Sequence, residues 1–171
     1  MHFSSYESPI GHVLLVASDQ GLRELLFDYD RKRLAAARKN NEMVESDTAL
    51  AGVRRELDEY FAGKRREFTV ALDLRGTDFQ LRCWNALLKI PYGETRSYAY
   101  QARAVGSPRG FRAVGMANHD NPIAIIVPCH RVITSSHTLG GYGGGLSVKE
   151  KLLDLEGAVW RKPHPELAFQ P

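Results

Sequence analysis

The residues most able to do chemistry stand side by side at Cys129-His130, with Arg131 following and Glu156 further along the chain. A cysteine reacts as its thiolate. Its free pKa of about 8.5 means that near neutrality it needs a base or a positive charge close by. Neighbouring side chains on an extended chain point to opposite faces, so His130 is expected to reach the sulfur through a turn or a water. A Cys-His dipeptide alone is more often structural than catalytic. Glu156 adds information, because a carboxylate in the last turn of a helix faces the negative end of the helix dipole and needs compensation. A buried histidine that must accept a proton from Cys129 would supply it, giving a Cys-His-Glu relay in which Glu156 orients and stabilises the imidazolium. The competing reading is a solvated glutamate fraying beside Gly157. The other cysteine, Cys83, reads as a small buried hydrophobe, and no cysteine cluster suggests a zinc site.

Charge gives a second signal. The net charge is only +3, yet between residues 95 and 135 Arg96, Arg103, Arg109, Arg112 and Arg131 face Asp120 alone. An arginine-only excess suits a polyanion, because guanidinium forks match phosphate oxygens and their binding releases counterions. A plain solvated surface is the alternative. Two cysteines are too few for a disulfide framework, and no secretory leader is evident, so a reducing cytoplasmic setting is the simplest expectation. The longest apolar run, residues 123–127, is far short of a membrane span.

Several elements must position these groups. Val13 to Val16 and Leu22 to Phe27 flank a turn-rich break and predict a β-hairpin. Residues 28–46 are polar and predict a loop. From Asp47 onward, Leu50, Val53, Leu57, Tyr60 and Phe61 recur with helical spacing until Gly63, and Phe68 to Leu74 predicts a further strand. An N-terminal α/β domain over 1–75 and a second domain over 76–171 follow. Thr77 and Gln80 form a capping box for a helix bearing Phe79, Cys83, Trp84, Leu87 and Leu88. Ser97 to Val105 predicts a short helix. Ser107-Pro108 offers an N-cap and first-turn proline for another, so a helix-turn-helix is expected. Ile123 to Val127 reads as a buried extended segment presenting Cys129 at its end. The glycine-rich stretch 140–145 must be loop, and Ser147 with Glu150 predicts a capping box for the final helix.

At this point the residues resemble a known family. Arg112-Ala113-Val114-Gly115, Asn121-Pro122-Ile123, Pro128-Cys129-His130-Arg131-Val132, Tyr142-Gly143-Gly144 and Lys149-Glu150 stand in the order of the O6-alkylguanine-DNA alkyltransferases. The likeness runs from about Gly76 to Gly157, whereas residues 1–75 are similar only in outline, as at Tyr60-Phe61-Ala62-Gly63. The resemblance implies an α/β plus α architecture: a ribonuclease-H-like domain packed on a mainly helical, winged-helix-like domain. It implies irreversible transfer of an alkyl group from O6-alkylguanine, and also O4-alkylthymine, in duplex DNA onto Cys129, with no cofactor. His130 is then a water-mediated base and Glu156 completes the relay. Asn121 braces the recognition helix against the active-site strand, and Tyr98 rotates the nucleotide and assists its protonation. Arg112 fills the gap left by the extruded base. Arg109, Ala113, Gly115 and Ser97 would join Arg112 and Tyr98 on DNA. Tyr142, Gly143, Gly144, Val132 and Lys149 would form the pocket, with Gly143 standing where some relatives carry serine. The implied partner is double-stranded DNA bound from the minor groove by a monomer; cooperation between molecules on DNA is left open.

Two other classes fit parts of the pattern. A lesion sensor would flip the base without accepting the alkyl group, but such relatives lack the acceptor cysteine. A cysteine hydrolase could use the same relay with an oxyanion hole from the Gly141 to Gly145 amides, yet it would have no use for the arginine cluster.

Overall fold

The computed structural model describes residues 1–27 and 42–161, with isolated positions 35 and 39. Strands β1 (His2–Ser8), β2 (Gly11–Ser18) and β3 (Gly21–Phe27) form an antiparallel meander. The short β4 (Val44–Glu45) pairs parallel with β1, giving the sheet order β3-β2-β1-β4. The hairpin expected between β2 and β3 is present, and β1 extends it. The expected loop falls largely on residues 28–41, of which all but 35 and 39 lie outside the described residues; its last residues carry β4.

Alternate residues of β2, and two residues of β3 spaced three apart across a bulge, explain the core. Val13, Leu15, Leu22 and Leu25 are buried against Leu50, Val53, Leu57 and Tyr60 of the segment leading into and through helix α1 (Ala51–Phe61). These four helix-side residues are the ones whose spacing marked one face of a helix. The segment 68–74 is not a strand: only Leu72 bridges, to Leu22, through the Leu22 amide to the Ala71 carbonyl and the Asp73 amide to the Leu22 carbonyl. Alternating hydrophobicity there reflects a chain laid along the sheet edge rather than a full ladder.

Beyond Gly76 the chain is helical. Helix α2 (Asp78–Leu87) starts with the Thr77–Gln80 capping box and buries Cys83, Trp84 and Leu87. Trp84 donates its indole N–H to the Ala117 carbonyl at 2.8 Å. Ser97 ends the two-residue strand β5 (Arg96–Ser97) and caps α3 (Tyr98–Ala104) by accepting the Tyr100 amide. Helix α4 (Phe111–His119) begins later than its sequence suggests, with Gly110 as N-cap. Ser107 and Pro108 instead lie in a tight turn closed by the Gly110 amide on the Ser107 carbonyl at 2.8 Å. Two helices joined across a turn are therefore present, as expected.

The stretch after α4 departs most from expectation. Ile123 to Val127 is not a strand: Ile123 bridges to Leu25, and the chain then turns back, with the Val127 amide on the Ile123 carbonyl at 3.0 Å. Ile125 sits at φ 70°, unusual for a β-branched residue and costing about 1–3 kcal/mol. A continuous apolar run of five residues signals burial equally well for a strand or a folded-back turn, so the sequence could not separate them. A 3-10 turn (Cys129–Arg131) and strand β6 (Val132–Ile133), parallel to β5, follow. Helix α5 (Leu146–Leu155) starts from Gly145 at φ 92°, a conformation open to glycine. The Ser147–Glu150 capping box is not formed, because the helix begins before it; Glu150 pairs with Arg161 instead.

Leu25 and Ile123 also join the two halves. The Leu25 amide donates to the Pro122 carbonyl at 2.8 Å and the Ala124 amide to the Leu25 carbonyl at 3.2 Å. One buried apolar cluster runs from Leu15 and Leu57 through Trp84 to Val127 and Leu152, so the sheet and the helices share a core.

Candidate active site

Cys129 is 7% exposed and sits at the start of the 3-10 turn, not at the end of a strand. Its backbone is fixed by the amide of Cys129 on the Val127 carbonyl at 2.9 Å. Asn121, just beyond α4, does the rest. Its Nδ2 donates to the Val127 carbonyl at 2.7 Å and to the Cys129 sulfur at 3.1 Å, while its Oδ1 accepts the Ile123 amide at 3.0 Å. Asn121 thus clamps the folded-back turn and supplies a donor to the sulfur; the strand it was expected to brace does not exist.

The 3-10 turn lets adjacent residues diverge into different surroundings. His130 is fully buried, and its Nε2 lies 2.7 Å from Glu156 Oε1. Its Nδ1 has no hydrogen-bond partner among the described residues. Glu156, the C-cap of α5, also accepts Arg131 Nε at 2.9 Å on Oε2 and Arg131 Nη2 at 3.0 Å on Oε1, a two-pronged fork. Tyr60 in α1 donates its hydroxyl to Oε1 at 2.7 Å, and the Gly93 amide reaches Oε2 at 3.4 Å. The charge that Glu156 places at the negative end of a helix is therefore compensated several times over. Arg131, counted above with the DNA-facing cations, is instead buried with this carboxylate, and its Nη1 donates to the Ile90 carbonyl at 2.6 Å.

The electrostatics define resting protonation. Burial pushes the Cys129 thiol up, partly offset by the Asn121 hydrogen bond and the Lys149 charge. Burial likewise lowers His130, against the pull of Glu156. Burial opposes ionisation of Glu156, but the hydrogen bonds and charges of His130 and Arg131 overcome it and hold the carboxyl well below its usual range. At neutral pH the site is a thiol beside a neutral imidazole backed by a carboxylate, the arrangement in which a proton can pass from sulfur to ring nitrogen.

Cys129 lies on a cavity of about 360 Å³ walled by Tyr98, Arg112, Gly115, His119, Tyr142 and Gly143, among others. Tyr98 reaches the Gly141 carbonyl at 3.5 Å, and an added Cβ at Gly115 would come no nearer than 4.0 Å to its ring. On the outer side of α4, Phe111, Arg112, Ala113 and Met116 are exposed, and Arg109 is exposed in the turn before it. Ser97 acts as the cap of α3. Gly144 lies against Phe27 and Tyr142 in an adjoining cavity of about 180 Å³ that Cys129 also lines. Val132 and Lys149 do not line the main cavity. Lys149 is fully buried behind it, where Nζ donates to the carbonyls of Val132 at 2.6 Å, Leu139, and Gly141 at 3.2 Å. Burial lowers Lys149 to about 8, and its ammonium stands 5.8 Å from the Tyr98 ring centre.

Three contacts were not read from sequence. Arg131 reads as one of a run of phosphate-seeking cations but pairs with Glu156, and Tyr60 reads as part of a helix's apolar face but donates to the same carboxylate. Between α3 and α4, Gln101 and Asn118 exchange reciprocal amide hydrogen bonds at 2.9 and 2.8 Å, fully buried, while Gln101 also donates to the Cys83 carbonyl at 3.2 Å. Polar residues on the inner face of each short helix were their one available signal. No group of three or more histidine, cysteine or acidic residues that could hold a metal occurs among the described residues.

The class of protein this defines is one with a buried cysteine next to a histidine–glutamate pair, opening on a cavity beside two packed helices. Comparison with known proteins makes the assignment specific. Residues 1–74 match the 6-O-methylguanine DNA methyltransferase ribonuclease-like domain, and residues 78–158 match the DNA binding domain of the same proteins. A methylated-DNA–protein-cysteine methyltransferase of Methanosarcina acetivorans is 46% identical, covering 92% of this chain and 99% of the relative. One from Mycobacterium tuberculosis is 49% identical over 91% of this chain and 92% of its own. Among solved structures, Mycobacterium tuberculosis OGT in complex with DNA superposes with a TM-score of 0.83 at 48% identity, covering 92% of this chain and 93% of that one. The chain belongs to the 6-O-methylguanine DNA methyltransferase family.

Proposed function

We propose that the protein repairs DNA by moving an alkyl group from the O6 of guanine onto Cys129, once per molecule. The observation that carries this reading is the position of Cys129: it lines a cavity framed by α3, α4 and the 141–143 loop, and the adjoining His130 is paired with Glu156.

In this mechanism the thiol proton passes through one water to His130 Nδ1, the ring nitrogen with no hydrogen-bond partner among the described residues. The thiolate attacks the alkyl carbon; the S–C bond forms as the C–O6 bond breaks, and the electron pair stays with the purine. Guanine then takes up one proton, balancing the one that left sulfur. The thioether offers no leaving group to a nearby base, so the protein is not regenerated. O6 lies inside the base stack, so the nucleotide must be extruded at a cost of a few kcal/mol. Arg112, exposed at the start of α4, occupies the space left behind, and Tyr98 steadies the extruded base. A winged-helix-like domain lays α4 into the minor groove, where readout is degenerate and scanning is independent of sequence. Arg109, Ala113, Gly115 and Ser97 are the accompanying DNA contacts. The protein acts as a monomer, accepts O4-alkylthymine as a second substrate, works in the cytoplasm, and divides at residue 75.

Mass spectrometry after incubation with duplex DNA containing O6-methylguanine tests the proposal. One methyl mass on the Cys129 peptide is expected, and none in Cys129→Ala. Methyl uptake persisting in that variant would refute the assignment.

A further inference from the structure

The geometry around Glu156 points to Tyr60, on the N-terminal helix α1, as a positioning residue of the relay: its hydroxyl shares Glu156 Oε1 with His130 and limits how strongly that carboxylate holds a proton on the imidazole. This rests on the alkyl-transfer reading for its consequence, though not for its measurement.

Tyr60 is fully buried among aromatic rings, with centroids 5.3 Å from Phe61, 5.3 Å from Phe68 and 6.1 Å from Tyr92. Packing of that kind asks only for a phenyl ring. The hydroxyl is the extra feature, and a buried hydroxyl needs a partner. Its partner is the oxygen that also faces His130: both distances are 2.7 Å, and Arg131 Nη2 adds a third donor at 3.0 Å. Burial raises Tyr60 well above its ordinary range, and the Glu156 charge raises it further, so the hydroxyl remains a donor and never gives up its proton.

A donor to an ionised carboxylate disperses its charge and weakens it as an acceptor towards other partners. His130 feels Glu156, Arg131 and Lys149, while Glu156 feels His130, Arg131, the Gly93 amide and Tyr60, and its charge also reaches the Tyr92 and Tyr142 phenols. Removing the Tyr60 hydroxyl leaves Arg131 and the packing in place and concentrates charge on the oxygen that faces His130. The imidazolium is then favoured, and His130 stays protonated to a higher pH. A protonated His130 cannot take the Cys129 proton, so transfer is curtailed on the acid side. Tyr60 would thereby hold the base neutral and ready from the opposite domain.

The test is Tyr60→Phe in the full chain. The acid limb of the methyl-transfer rate is expected to move upward by roughly half to one pH unit, with the alkaline plateau preserved within about twofold. The same upward displacement is expected in the His130 imidazole titration, followed by NMR on unreacted, DNA-free protein. Coincident titrations, a downward shift, or a uniform loss of rate at every pH with no shift would overturn the inference. Should the wild-type protein take up no methyl group, the proposed function fails, while the NMR titration still decides the role of Tyr60.

Discussion

The two sides of Cys129 are built differently. Behind it, His130, Arg131, Glu156 and Tyr60 are buried and tied together by hydrogen bonds of 2.7 to 3.0 Å. In front, the cavity is edged by the 141–143 loop with its two glycines and by α4, whose outer face leaves Phe111 51% and Met116 61% exposed. The contrast sets a closed, densely hydrogen-bonded cluster on one side of the cysteine against an open face with uncovered apolar side chains on the other. Preorganised polar groups in a water-poor site need no rearrangement at the moment of reaction.

The largest effect should come from the closed side. Glu156→Gln removes the negative charge that balances Arg131 and the imidazolium, and we expect transfer to fall by about a hundredfold or more. Because Arg131 is then left buried without its counter-ion, unfolding free energy should drop by about 3–5 kcal/mol, read by urea denaturation. A fully active and stable variant would dissolve the distinction between the two sides.

Next in size, Arg112→Ala on the open side should slow repair of duplex substrate by about tenfold while sparing a single-stranded one, since unstacking is absent there. It should leave stability within about 0.5 kcal/mol, as expected for an exposed residue. Equal loss on both substrates would count against a role in extrusion.

Acid stability sharpens the comparison further. Glu156 is held below its ordinary value of 4.5 in the folded protein. The stabilisation it contributes is therefore fully present above about pH 4.5 and is lost progressively as pH falls below that value. Wild-type unfolding free energy should decline through this range, and Glu156→Gln should flatten the decline; equal slopes would remove the carboxylate from the explanation. Smallest of all, Phe111→Ala is expected to change stability by no more than about 0.5 kcal/mol and to weaken duplex binding severalfold, measured by titration at fixed salt.

The same division explains what could be read from the sequence. Helix α1, the α2 capping box and the β2–β3 hairpin follow local rules of spacing and capping, and they stand where those rules put them. Cys129, His130 and Glu156 were legible because their residue types carry chemistry and their order matches a family. Tyr60 and Arg131 were not, since the first is 96 positions from the carboxylate it touches and the second sat within a run of arginines suggesting another use. The turn at 123–127 escaped for a different reason: five apolar residues announce burial and say nothing of the backbone path, which Ile125 takes through a region seldom used by its type. Lys149 reads as a pocket residue from its place in a motif, and only the fold reveals that it staples three carbonyls from behind.

The paired carboxamides of Gln101 and Asn118 carry a mechanical consequence. Each amide satisfies the other in a buried seam, so sliding or rolling α4 against α3 would strand two donors and two acceptors at once. The pair works as a keyed joint. Tyr98 on one helix and Arg112 on the other are therefore carried on two elements whose mutual register was set when the chain folded.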